Sequence, residues 1–304
     1  MDHSGRAFFR EPNTLQAIGL MCLYVGLIVC VNAMGKVLTG HMHPLEVVFF
    51  RHAGAGAFLF LVFVGRFGLG VLRSNRPGTQ IIRGLFAIVS SMLYFSGLAT
   101  ASLATAAAIS FTAPLILTAL SGPALGEKVG PHRWGAVAVG FAGALLIVRP
   151  GAEGGSSLAA LMLLGSATCT GLYQLFTRKI AGHDRAETTA ICSAIVSGGV
   201  VAVTLPFVWT DPGPWWVWAL AIAIGVIGGT GHFLLAMAFE RGPASLLSPF
   251  NYLQLLGAAV TGYTLYGDLP DGMTWLGAGV IVAAGLYIAY RENRIRRTMQ
   301  AVRL

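Results

Sequence analysis

Charge is scarce in this chain, and acidic charge is scarcest of all. Only 11% of its 304 residues are charged, and the acidic share amounts to 12 Asp and Glu. With 55% hydrophobic residues and a mean hydropathy of +0.72, the chain is too apolar for one soluble core, so lipid must solvate most of its surface. Cysteine is sparse as well. Cys22, Cys30, Cys169 and Cys192 fall inside apolar runs without paired spacing, which suggests neither a disulfide framework nor a zinc site. HExxH, GxSxG and Asp-rich metal motifs are missing, so a membrane-embedded enzyme has no visible machinery. No cofactor and no metal are expected, and the short loops leave no room for a soluble sensor domain.

What the chain has in abundance is long apolar runs. Ten lie near Leu15–Leu38, Pro44–Val64, Gln80–Thr100, Ser102–Gly122, Gly130–Val148, Gly155–Arg178, Ala186–Trp209, Pro214–Glu240, Pro243–Leu265 and Pro270–Tyr290. Each can cross a hydrocarbon core of about 30 Å at about 1.5 Å per residue. They lack the period-two alternation of barrel strands, and hydrocarbon leaves no water for open backbone groups, so helices are expected. The reading is an all-α polytopic membrane protein with ten transmembrane helices. The first run is too long for a signal-peptide core and is expected to be retained.

Placing residue 1 inside puts nearly every Lys and Arg on one side, including Arg66, Arg73, Arg76 and Arg83 around the second and third spans and the tail from Arg291 to Arg303. Arg149 alone falls in an outer loop, while Lys36 and Arg51 lie within spans. The positive-inside rule therefore predicts cytoplasmic termini. The net charge of +8 is explained by topology and requires no nucleic acid, and the basic tail suits anionic lipid head groups. Trp209, Trp215, Trp216 and Trp218 cluster as an outer interfacial belt would.

Sliding the chain along itself by 141 residues pairs Gly126-Glu127 with Gly267-Asp268, Trp134 with Trp275, Leu145 with Leu286, Ile147 with Ile288 and Glu46 with Glu187. One further residue of shift pairs Asn32 and Lys36 with Gln174 and Arg178. An internal repeat of five helices follows, and the odd number inverts the second copy in the membrane. Inverted repeats are the architecture of secondary transporters, in which the two halves open a midplane site to each side in turn. The segments are a polar stretch 1–14, repeats 15–150 and 151–290, and a basic tail 291–304.

The stretches LATASLATAAAISFTAPL, LGEKVGPHRWGAVAVGFAGALLIVRPG, RGPASLLSPFNYLQLLGAA and YGDLPDGMTWLGAGVIVAAGLYIAYRE resemble the paired EamA repeats of the drug/metabolite transporter superfamily. The resemblance implies a bacterial inner-membrane carrier of ten helices whose central cavity is lined mainly by helices 1, 3, 4, 6, 8 and 9. Its cargo would be an amino acid, nucleoside-like compound, vitamin or drug. HPLEVVFFR together with IIRGL resembles the branch that includes riboflavin and S-adenosylmethionine uptake carriers. Related sequences often carry an acid near the position that Asn32 occupies here.

Ionisable groups inside spans are costly, so each is a functional candidate. Lys36, near the outer end of helix 1, and Arg51, about two turns into helix 2, are placed to attract a carboxylate, phosphate or electron-rich ring. The alternatives are that Lys36 snorkels to the interface and Arg51 pairs with Glu46 or a helix-end carbonyl. Asn32 shares a face with Lys36. Helix 6 offers Thr170, Tyr173 and Gln174, helix 9 offers Asn251, Tyr252 and Gln254 after Pro249, and helix 4 offers Ser110 and Thr112 before Pro114. Tyr94 on helix 3 and Phe111 supply further stacking rings. The candidate substrate-binding set is thus Asn32, Lys36, Arg51, Tyr94, Thr112, Tyr173, Gln174, Asn251, Tyr252 and Gln254. The same amides and hydroxyls also serve to join helices. His232 follows Gly228, Gly229 and Gly231 and is either a packed core residue or a proton relay.

No acid falls at the centre of a span, which points to facilitated diffusion or exchange rather than proton coupling. Neutral amides and tyrosines suit a planar, hydrogen-bonding cargo such as riboflavin, with S-adenosylmethionine uptake or export of amino acids and toxic metabolites as alternatives. Small-residue faces at Ala136, Gly140 and Ala144 on helix 5 and at Gly279 and Ala283 on helix 10 fit either internal packing or a homodimer.

Overall fold

A computed structural model describes residues 14–125, 130–148, 156–180, 183–211, 213–241 and 247–301. Segment 1–13, the Gly126-Glu127 pair, Arg149 and the predicted start of the ninth span at Pro243 lie outside the described residues. Within them the chain is helical: α1 (Thr14–Thr39), α2 (Pro44–Phe67), α3 (Pro77–Leu98), α4 (Leu103–Ser110), α5 (Ala113–Leu125), α6 (Pro131–Val148), α7 (Ser156–Ile180), α8 (Ala186–Thr204), α9 (Trp215–Arg241), α10 (Leu253–Tyr266) and α11 (Gly272–Ala301). Helices α4 and α5 together make the fourth span.

Nine segments of the described residues are long and apolar enough to cross a membrane. The remaining expected span is α10, preceded by a 3₁₀ turn at Ser248–Tyr252. Five residues at about 2.0 Å and fourteen at about 1.5 Å give about 31 Å, enough to cross. Several ends differ from expectation. Helix α3 begins at Pro77, because proline suits the first helical position. Helix α11 runs past Tyr290 to Ala301, because residues 286–301 hold strong helix formers and neither Gly nor Pro. The fourth span is broken at Phe111-Thr112, where Leu115 N–H and Ile116 N–H both donate to the Thr112 carbonyl.

The two halves pack about a pseudo-twofold axis. Helix α1 lies on α9 as α7 lies on α3, while α2 meets α8 and α6 meets α11 across the axis. Two sites show the symmetry at atomic level. A Cβ on Gly225 would lie 2.6 Å from Gly54 Cα, and one on Gly84 would lie 2.5 Å from a Val196 methyl, so glycine sets both close approaches. Gly84 and Gly225 are 141 residues apart, as are Phe111 and Tyr252, whose rings meet with centroids 4.8 Å apart.

The face of α6 bearing Ala136, Gly140 and Ala144 is buried, and Gly140 and Gly143 pack against Ala284 and Gly277 of α11. That small-residue face serves internal packing. Gly279 and Ala283 lie on the exposed side of α11. Trp209 and Trp215 are exposed, whereas Trp216 packs edge-on to His41 and Trp218 edge-on to Phe50, so only part of the cluster forms a belt. Exposed Trp134 and Trp275 sit near the starts of α6 and α11, at opposite ends of the bundle.

Arg66, Arg73, Arg76, Arg133, Lys179, Arg185, Arg241 and Arg291 mark one end, here the basic end, and the opposite end is the far end.

Candidate substrate cavity

Each end of the bundle is fastened across the halves. At the far end, His43 opens α2 with a capping box in which the Glu46 carboxylate accepts from the His43 N–H at 2.7 Å. Glu46 is fully buried and also accepts from the Thr210 N–H and hydroxyl, both at 2.7 Å, which ties α2 to the loop before α9. Lys36 Nζ donates to the Ala101 carbonyl at 2.5 Å, lies 3.7 Å from the Asp268 carboxylate and sits 4.9 Å above the Tyr266 ring. Gly267 permits this arrangement by taking a left-handed φ of 69° that turns the chain toward Asp268. Lys36 therefore fastens α1 to the α3–α4 and α10–α11 connections.

At the basic end Asp184, in the loop before α8, accepts from the Ser74 hydroxyl, the Asn75 N–H at 2.7 Å and Gln80 Nε2 at 2.9 Å. Burial acts to raise the pKa of this carboxyl, but those hydrogen bonds outweigh it and hold it below its usual value. An open cleft flanks the fastening, lined in part by Arg73, Asn75, Asp184 and Arg185. It lies away from the interior side chains described next.

Arg83 lies in the second turn of α3, near the basic end, but it is buried against protein rather than turned to the water. The side chain is 1% exposed, donates to the Thr177 hydroxyl at 3.2 Å, to the Thr189 carbonyl and to the Ser193 hydroxyl, and covers the Tyr173 ring at 4.9 Å. It joins α3 to α7 and α8, and only its Nε lacks a partner. The residue escaped notice because the third span was read as starting at Gln80, which left Arg83 close to the water.

Arg51 stands in the interior. Its guanidinium lies 5.5 Å from the Phe95 ring, which leans into the space left by Gly35 of α1. Tyr24, His52, Tyr94 and His232 are within electrostatic reach of Arg51. Tyr24, Arg51, His52 and Tyr94 are half-buried and His232 is exposed. They come from α1, α2, α3 and α9, so the group draws on helices of both halves. Tyr24, His52 and His232 extend the expected set. His52 adjoins Arg51 in the sequence, and its position inside a span was the available signal. Its imidazole is 2.8 Å from the Ser91 hydroxyl.

The other candidates divide. Tyr94 packs edge-on to Phe95 beside Arg51, and Tyr173 lies under Arg83. Gln254 donates to Asn251 at 3.3 Å, forming a carboxamide pair next to the Tyr252–Phe111 ring pair. Asn32 and Gln174 are half-buried. Thr112 is fully buried and its hydroxyl donates to the Ile109 carbonyl at 2.7 Å, so it secures the break in the fourth span. Lys36 is held at the far-end fastening, apart from Arg51.

Comparison with known proteins fits this geometry. The EamA-like transporter family matches residues 15–149 and again residues 157–290. The chain belongs to that family. It is 32% identical over 246 residues to a riboflavin transporter of Rhizobium johnstonii, covering 79% of this chain and 80% of the relative. It is 30% identical over 263 residues to an S-adenosylmethionine uptake transporter of Rickettsia bellii, covering 86% and 89% respectively. A solved crystal structure shares the fold with a TM-score of 0.61 at 23% identity, covering 94% of this chain and 99% of that one. The EamA protein is thus a multi-pass small-molecule transporter of the bacterial inner membrane, and not an enzyme.

Proposed function

We propose that the protein carries a planar, hydrogen-bonding metabolite such as riboflavin into the cell, without coupling to protons. The observation that carries this reading is the Asn251–Gln254 carboxamide pair beside the Phe111–Tyr252 rings. Such a surface offers both amide hydrogen bonding and stacking to a ring with carbonyl and imide edges. In this proposal Asn32, Gln174, Tyr94 and Tyr173 belong to the same binding surface, and Arg51 adds a donor. The riboflavin transporter among the relatives agrees with this chemistry.

The absence of coupling is argued from the carboxylates. Glu46 is occupied at the far end, Asp268 by Lys36 and Asp184 at the basic end. The proposed orientation puts the basic end and both termini in the cytoplasm, in keeping with the distribution of Lys and Arg. Transport is then alternating access, with the two fastenings released in turn.

The test is uptake into proteoliposomes of riboflavin, S-adenosylmethionine and amino acids in parallel, with and without an inward proton gradient. Saturable riboflavin entry that the gradient leaves unchanged is the expected result. Uptake of another cargo alone would replace riboflavin, and strong gradient stimulation lost in Glu46→Gln would overturn the uncoupled mechanism.

A further inference from the structure

We infer that Arg51 is the charge filter of the carrier, admitting solutes with clustered carbonyl, carboxylate or phosphate oxygens and excluding those with net positive charge. The inference rests on the carrier reading above and adds a rule of selectivity to it.

Arg51 lies seven residues after the start of α2, about 10 Å along the helix axis from its far end. No carboxylate of a described residue pairs with it. Glu46, on the same helix, would have to surrender three hydrogen bonds to turn toward it. Asp268 is occupied by Lys36. The groups around the guanidinium are the rings of Phe95, Tyr24, Tyr94, His52 and His232, and none of them carries a negative charge. Guanidinium keeps its proton at every physiological pH, so Arg51 is a fixed positive charge with accessible surface and no counter-ion among the described residues.

Two other cations within the spans are engaged differently. Lys36 is matched by Asp268, and Arg83 spends its terminal nitrogens on Thr177, Thr189 and Ser193. Arg51 makes no comparable bonds with the described residues, which leaves its donor fork for the cargo. An oxygen-rich edge receives charge-assisted hydrogen bonds there. A cation brought to about 6 Å at an effective dielectric near 20 is disfavoured roughly a hundredfold. A sulfonium compound therefore enters poorly, whereas a dicarbonyl ring or an anion enters well.

The experiment compares wild type, Arg51→Lys, Arg51→Gln and Arg51→Glu in proteoliposomes, each first shown to be monodisperse in detergent. Entry of riboflavin, flavin mononucleotide and S-adenosylmethionine is measured, and binding of the same three is read separately as ligand-induced thermal shift. Wild type is expected to favour the flavins over S-adenosylmethionine by roughly a hundredfold. Arg51→Lys should keep that order, Arg51→Gln should compress it to within about tenfold, and Arg51→Glu should reverse it. A ratio that stays within about twofold of wild type in Arg51→Gln overturns the filter even if riboflavin transport stands. Should Arg51→Glu fail to fold, the Gln and Lys ratios decide. If wild type moves no flavin, the riboflavin reading fails while binding shifts for the anionic and cationic probes still test Arg51. Preference for the cation in wild type overturns the filter.

Discussion

Glu46, Lys36, Arg51 and Arg83 show how little residue type says about role in a membrane span. All four are charged and lie within helices, yet Glu46 caps a helix, Lys36 closes an end, Arg83 joins three helices and Arg51 lies over the Phe95 ring with no carboxylate partner among the described residues. Removing one acceptor of Glu46 tests the capping role. Glu46→Gln keeps one acceptor oxygen and so loses either the box or the Thr210 N–H bond, which should cost about 1–3 kcal/mol, measured by thermal unfolding in detergent. The sequence showed that Lys36 and Arg51 are unusual, because intramembrane charge is rare in any composition. It did not show their partners. Asp268 and Thr210 lie far away in the chain, and no local pattern records which loop folds over which helix end. Arg83 was misplaced because helix starts are uncertain by a turn, and one turn decides whether a side chain meets water or protein.

At the scale of elements, the glycines at the crossings divide into those that matter and those that do not. Gly225→Ala would set a methyl 2.5 Å from the Phe50 carbonyl oxygen and 2.6 Å from Gly54 Cα, forcing α2 from α9. A loss of about 1–3 kcal/mol is expected, whereas Gly279→Ala on the open side of α11 should stay within about 0.5 kcal/mol, both read from thermal midpoints in one detergent. The basic-end loop gives a pH signature. Because the folded pKa of Asp184 is lowered, its stabilising effect is complete above the unfolded carboxylate value and disappears as pH falls through the lower folded one. Asp184→Asn should therefore lower the melting temperature at pH 7, and the gap from wild type should close below about pH 4. The helices themselves were legible because twenty apolar residues in lipid admit few other structures. The break at Phe111-Thr112 was foreshadowed by Pro114, but its exact place was not, since proline fixes only a region of weakness.

For the whole molecule, fastenings at both ends imply that opening either side means breaking a defined set of bonds. Asp268→Asn removes a half-exposed ion pair worth about 1 kcal/mol, which should favour far-end opening by roughly fivefold. Cysteine placed at Gln174 or Asn251 would report it. Labelling by an impermeant maleimide from the far side should quicken by about that factor, and riboflavin should slow it. The two-half plan was visible in the 141-residue spacing, although the motif that revealed it best, Gly126-Glu127 with Gly267-Asp268, says nothing about the axis itself.

Phe111 and Tyr252 give that axis an origin. Residues equivalent under the repeat that also touch each other must lie beside the pseudo-twofold axis. With a hydroxyl on one ring and none on the other, the pair breaks the symmetry at the axis itself, so the two halves are not interchangeable there.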